Sequence, residues 1–273
     1  MRQPFVIAML IALAGSTAPS ALSAQMDHSA HTAASPALTA ALAAPGRSAE
    51  NKARDQYRHP AETLSFFGVT PNQTVVEMIP GAGWYTEVLA PYLSAGGKLY
   101  VAANPGAGTD RLKAKLAADP VYSKVSVVGL MTMPTDIPAN SVDTVLTFRN
   151  MHNLIMGGKG DEAKVMAAAM AVLKPGGTLG IVDHRLPESQ DSAREKSSGY
   201  LKVSTVRRAA EAAGFEFVGA SEVNANAKDK ADYPGGVWTL PPTLRDVPEA
   251  DKAKYRAIGE SDRMTLKFRK PMK

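Results

Sequence analysis

The chain has no cysteine among its 273 residues. That absence excludes a disulfide-stapled scaffold, a thiolate metal site, a cysteine nucleophile and a lipoprotein-type cysteine anchor. Aromatic residues are sparse, at 6%, and lysine and arginine never run longer than two in a row. With a net charge of only +5, scattered in this way, the chain lacks the clustered basic face that nucleic acid requires, and no nucleic-acid partner is expected. Apolar runs of membrane-spanning length are missing too: the stretch from Phe5 to Ala14 is about half of the ~20 residues needed to cross a bilayer. What is present is a 45% hydrophobic content, enough for a large core and too much for a chain disordered throughout.

The short apolar run is informative in its context. Arg2 precedes it, and Gly15, Ser16, Pro19, Ser20 and then Ala21-Leu22-Ser23-Ala24 follow. The order basic, apolar, small is that of a secretory signal peptide, so residues 1–24 are expected to be removed near Ala24. The mature protein is then expected in the periplasm or outside the cell, free of the membrane. Residues 25–46 are rich in Ala, Ser, Thr and Pro and are read as a flexible tether. Met26, His28 and His31 could capture a metal at a new amino terminus, but solvated tail residues explain them more simply. Residues 47–273 form the expected single domain.

In that domain strand and helix signals alternate, the pattern of an α/β fold with a parallel sheet. Strands are predicted over 74–79, 98–103, 124–128, 142–148, 178–183, 215–222 and 263–268, with helices over 84–93, 111–118, 161–173 and 204–213. A polar lead-in, 49–57, and a helix opening at Pro60 precede the first strand, and 223–259 reads as irregular. The expected fold is a Rossmann-like, doubly wound, mostly parallel sheet of seven strands. Ligands bind such sheets beyond the carboxyl ends of the strands, where strand order reverses.

The loop after the first strand, from Glu77 through Pro80-Gly81-Ala82-Gly83, joins a strand to a helix amino end. Its glycines let backbone approach a ligand, and the helix supplies unpaired N–H groups. This layout resembles a class I S-adenosylmethionine-dependent methyltransferase. Pro80 to Thr86, Phe148 to Asn153, Val182 to Arg185 and Gly259 to Met264 resemble, in more detail, a bacterial family of exported methyltransferases. The resemblance implies S-adenosyl-L-methionine as cofactor, a small-molecule acceptor, and a cofactor site at Glu77, Gly81, Ala82, Gly83, Asn104 and Asn150. Two departures stand out. Ile79 occupies the first glycine place, and Asn104 stands where an acid usually grips the ribose hydroxyls.

Arg149, Asn150, His152 and Asn153 follow the fourth strand, and Asp183, His184 and Arg185 end the fifth. Methyl transfer needs in-line positioning, with a base only if the acceptor starts protonated. His152 or His184 could be that base, Asp183 could orient His184 or hold the acceptor, and Arg149 and Arg185 would suit an anionic acceptor. The plainer alternatives are hydrogen-bonded histidines without chemical role and an Arg149–Asp183 ion pair. No short metal-ligand spacing links His152, Asp183 and His184, so no metal is expected. Trp84 and Tyr85 fit packing or cofactor shelving equally. Arg58 to Glu62 is placed to close over a cofactor, and Asn224, Asn226 and Trp238 could line a lid. Two other functions stay open: a non-catalytic exported binding protein that keeps the fold, and a nicotinamide oxidoreductase, which the missing G-x-G-x-x-G disfavours.

Overall fold

Runs of Val, Leu, Ile and Thr bounded by Gly, Pro and Asn set seven strands in the computed structural model, which describes residues 34–272. The expected signal peptide and Met26, His28 and His31 lie outside the described residues. The strands are β1 (Thr74–Met78), β2 (Lys98–Ala103), β3 (Val125–Gly129), β4 (Val142–Phe148), β5 (Leu173–His184), β6 (Glu216–Ser221) and β7 (Arg263–Arg269). They form one sheet in the order β3-β2-β1-β4-β5-β7-β6. The first five are parallel, and β7 runs antiparallel between β5 and β6. This is the expected doubly wound, mostly parallel sheet. Its order reverses between β1 and β4, which brings the loops after β1, β4 and β5 to one end.

Four short helices precede β1: α1 (Pro36–Ala43), α2 (Ala49–Lys52), α3 (Asp55–Arg58) and α4 (Pro60–Phe67). Then come α5 (Thr86–Leu93), α6 (Ala107–Ala118), α7 (Met133–Asp136), α8 (Met151–Met156), α9 (Asp161–Val172), α10 (Val203–Ala212) and α11 (Glu249–Ile258). The central strands are buried on both faces, so β1 reads as a near-continuous run of buried residues, with Glu77 as its one charged member, instead of an alternating one. Val75 packs on the side of α4 and α5 with Leu89, Val101 and Leu146, while Val76 faces α9 and α10 with Val145, Val165 and Leu179. Each such fully buried side chain contributes roughly 1.5–3 kcal/mol. None of the described helices is long and apolar enough to cross a membrane.

Two expectations are corrected. The supposed tether contains α1, capped by the Ser35 hydroxyl, which accepts from the Leu38 amide at 3.2 Å. Leu38 and Ala41, three apart on one helix face, are buried, and α1 packs on α5. Two small anchors suffice to dock a short helix, yet they give no recognisable apolar period. Within 223–259, α11 forms where irregular chain was expected. It buries no residue, so it carries no core-facing stripe, and it rests on helix-favouring residues with Glu249 and Asp251 in its first turn.

Candidate active site

The chain leaves β1 through a turn that would ordinarily call for glycine. Ile79 has φ 54°, in the left-handed region, where a residue with a Cβ carries a strain of roughly 1–2 kcal/mol. It is held there from both sides: its amide donates to Ala102 O at 2.8 Å, and Asn150 Nδ2 donates to its carbonyl at 3.0 Å. The first departure from the resembled motif therefore keeps the glycine's backbone without the glycine. Gly81 and Gly83 follow at φ 59° and 82°. A Cβ on Gly83 would lie 2.7 Å from a Leu112 methyl and would be strained at this φ, so the turn favours glycine there. A Cβ on Gly81 would meet no atom within 4 Å, because Gly81 and Ala82 border a cavity of about 470 Å3.

Glu77 reaches this cavity from β1 and not from the loop. It is 2% exposed and accepts from Thr86 Oγ1 at 2.6 Å. Burial pushes its carboxyl up to about 7, against the opposing pull of the Thr86 hydrogen bond and Lys115. Between 4.5 and about 7 the folded state holds a proton that the unfolded state has lost, so stability falls as pH rises through that window. The loss amounts to about 3 kcal/mol above it. Glu77→Gln, which cannot ionise, is therefore expected to unfold at higher urea than the wild type above the window and to match it below. Parallel pH dependences of the two proteins would refute this.

Trp84, Tyr85, Phe148 and Asn150 also line the cavity. Tyr85 stacks on Phe148 at 3.5 Å between centroids, and Trp84 Nε1 donates to Asn51 O, so both loop aromatics pack and border the space. Asn150 spends its amide on the carbonyls of Ile79 and Phe148. Asn104 is not brought to the cavity: it is exposed beyond β2, and its carbonyl accepts from Thr109 Oγ1.

After β4, Arg149 also takes a left-handed backbone, φ 64°, fixed by its amide donating to Val182 O at 2.7 Å. Strained residues thus follow both β1 and β4, the strands on either side of the switch point, and both line the cavity, a concentration that marks functional sites. At the start of α8, His152 meets Asp183, which is fully buried. Asp183 Oδ1 accepts from His152 Nδ1 and from the His184 amide, and Oδ2 accepts from the His152 amide, all at 2.8 Å. An acceptor-only carboxylate puts a ring proton of His152 on Nδ1, so that in the neutral ring it is Nε2 that carries the free lone pair. Of the two roles open to Asp183, orienting His184 or holding the acceptor, the first is therefore corrected: the histidine that Asp183 orients is His152.

His184 Nδ1 is bonded instead to Ser261 Oγ at 2.5 Å. Burial first, and then the neighbouring His152 and the guanidinium groups of Arg149, Arg263 and Arg58, lower its pKa well below 6.5, so it stays a neutral imidazole. The two histidine rings lie 5.0 Å apart and, with Asn153 and Trp238, line a second chamber of about 230 Å3. Arg149, Asn150 and Arg263 border both chambers. His152, Asp183 and His184 offer ligand atoms within 4.8 Å of one another. Asp183, however, is filled by three N–H donors, and arginines surround the group, which suits a hydrogen-bonded relay better than a cation site.

The pairing of Arg149 with Asp183 is not formed. Arg185 is not available to an acceptor either: its guanidinium clamps Glu222 and Asp262 bidentately at 2.8–2.9 Å, outside both chambers. Besides Arg149, the arginines that do line the site are Arg54 and Arg58, at the two ends of the turn forming α3, and Arg263, the first residue of β7. Glu260 serves all three, accepting from Arg54 Nε at 2.6 Å, from Arg58 Nε at 3.3 Å and from Arg263. Burial alone would raise its carboxyl, but Arg263, Arg58 and Arg54 outweigh burial and hold it at about 2. Glu260 and Arg263 lie inside the Gly259–Met264 phrase, the one sequence signal that pointed to them. Of the three lid candidates, Asn224 borders the large cavity and Trp238 the small one, while Asn226 is occupied with the carbonyls of Ile258 and Glu260.

No family model and no curated protein matches the chain. Solved structures do. An S-adenosylmethionine-dependent methyltransferase from Aquifex aeolicus superimposes with TM-score 0.56 at 18% identity, covering 80% of this chain and 93% of that one. The chain has the class I methyltransferase fold. A geranyl diphosphate methyltransferase solved with GPP and sinefungin shares the fold at TM-score 0.55 and 14% identity, covering 78% of each chain. So does the [4+2]-cyclase SpnF, at TM-score 0.58 and 15% identity, covering 86% of this chain and 93% of that one. A methyltransferase fold that also appears in a cyclase leaves the chemistry to be argued from the site.

Proposed function

We propose that this protein transfers a methyl group from S-adenosylmethionine to a small-molecule acceptor held in the smaller chamber. The observation that carries the reading is the pairing of two spaces at the switch point. The larger opens on the bare, left-handed Gly81 and has a volume within the range of ligand pockets. The smaller holds an imidazole whose tautomer is set by a buried carboxylate. The backbone of Gly81 and Ala82 and the carboxyl of Glu77 would hold the cofactor, with Tyr85 and Phe148 as apolar wall. When bound, it supplies a methyl group already activated on a sulfonium sulfur. What this chain must then do is align the acceptor and take its proton, and His152 Nε2 is the group shaped for that proton.

Asn104 does not line the cavity, so the end of β2 brings no carboxylate to the ribose hydroxyls. That favours modest cofactor affinity and keeps a binding-only protein as the second reading. Titration calorimetry with S-adenosylmethionine, its demethylated product and NAD tests the cofactor: binding of the first two but not NAD is expected, and failure of both at millimolar concentration would overturn methyl transfer. Gly81→Val should weaken adenosyl binding at least about tenfold. It places a branched side chain at positive φ in space a ligand needs. Unchanged affinity in a folded variant would show that this loop is not the site.

A further inference from the structure

The wall shared by the two chambers carries more positive charge than the protein neutralises. Arg149 and Arg263 border both chambers, Arg54 and Arg58 line the larger one with them, and Glu260 is the only carboxylate that pairs with any of the four among the described residues. Asp183, close enough to act on Arg149, is taken up by His152 and the His184 amide. Arg149 has no ion-pair or hydrogen-bond partner for its side chain among the described residues, and its Nε is buried without an acceptor. Arg54 Nη2, Arg58 Nη2 and Arg263 Nε are likewise buried and unpaired. Arg58 and Arg263 are almost wholly inaccessible, at 5% and 2% exposure. A buried guanidinium N–H without an acceptor is costly, and several such N–H groups around one space are maintained only where something else supplies the acceptors.

The surroundings report the same field. Burial, and then the charge of Arg263, lower the Arg149 guanidinium to about 10. The neutral state of His184 next to them has the same origin.

We propose that this arginine cage is a binding site for a small oxyanion, a carboxylate or phosphate group, and that the ligand handled in the smaller chamber carries that group. Guanidinium forks match both oxyanions in geometry and charge. Resting on the methyl-transfer reading, this assigns the acceptor a class: a small carboxylate- or phosphate-bearing molecule, anchored by Arg149 and Arg263 with its reacting atom toward His152. It also answers an electrostatic difficulty of that reading. A sulfonium beside four guanidinium groups is disfavoured, and an acceptor bearing negative charge in the same wall offsets the repulsion.

The test uses malonate and inorganic phosphate as probes at constant ionic strength, read by calorimetry and thermal unfolding, with chloride as control. Either probe should bind and raise Tm in the wild type, and neither binding would overturn the proposal. In Arg149→Met the affinity should fall at least about tenfold. Tm without anion should rise above that of the wild type, because an unpaired buried charge is gone. A merely structural arginine would instead lower Tm when removed, and that result would overturn the assignment. Arg263→Lys, which keeps the charge but not the fork, gives a second reading on a folded protein, with weaker probe binding expected. The source of the oxyanion is settled by competition. Malonate binding retained in saturating S-adenosylhomocysteine supports the acceptor site, whereas mutual exclusion would show that the cage holds the cofactor's own carboxylate and overturn the acceptor class. Should the probes bind while neither adenosyl compound does, the oxyanion site stands and the methyl-transfer reading falls.

Discussion

Glu260→Gln is expected to destabilise the protein by about 3–5 kcal/mol at neutral pH, the loss typical of removing one partner from a buried ion network. The substitution keeps the shape of the side chain but leaves Arg54, Arg58 and Arg263 without their shared counter-charge, and it turns an amide NH2 toward guanidinium donors. The effect depends on pH in a defined direction. Glu260 has its carboxyl held at about 2, below the usual 4.5, so the stability it contributes is fully present above 4.5 and is lost as pH falls toward 2. Urea unfolding of wild type and variant should therefore show a wide gap at neutral pH that closes on acidification. A gap that stays constant across that range would mean that Glu260 matters for packing and not for charge. Added malonate should recover part of the loss, since the variant cage is one charge further from balance.

How much of this site was legible in the sequence differs from residue to residue, for physical reasons. The sheet was readable because β1, β4 and β5 are apolar on both faces and end in Pro, Gly or polar residues, and chain alternation implies parallel pairing. The Gly81–Gly83 turn was readable because such a turn demands glycine. Ile79 was noticed as a departure, but that its backbone stays left-handed depends on Asn150, 71 positions away in the chain, which no local pattern reveals. The cage was hardest. Arg54 and Arg58 come from short helices before β1, and Glu260 and Arg263 from the entrance to β7, more than 200 positions later. Scattered arginines look like solvated surface charge until β7 inserts beside β5 and carries them inward. Arg185, adjacent to the catalytic candidates in sequence, shows the converse: proximity along the chain placed it in a clamp with Glu222 and Asp262 outside the chambers.

The choice between the two histidines has a measurable consequence. With Asp183 accepting from Nδ1, the His152 ring should show the Nδ1–H tautomer in 15N spectra of the free protein, and Asp183→Asn should mix the tautomers by removing the acceptor that selects one. His184, tied to Ser261 and kept neutral by burial and the neighbouring cations, should keep its spectrum in that variant. Under the proposed function, with an acceptor that starts protonated, His152→Ala should lower turnover by about 10²–10⁴, the usual contribution of a positioned base, while leaving cofactor affinity near the wild-type value. Asp183→Asn should follow it most of the way, because a misoriented imidazole offers its N–H where a lone pair is required. The arrangement would be refuted if His184→Ala, and not His152→Ala, abolished turnover in a folded protein, since Nε2 of His152 would then have no proton to take. If both variants kept full turnover, the acceptor must arrive already deprotonated, and the dyad would act only to hold α8 against β5 beside the arginine cage.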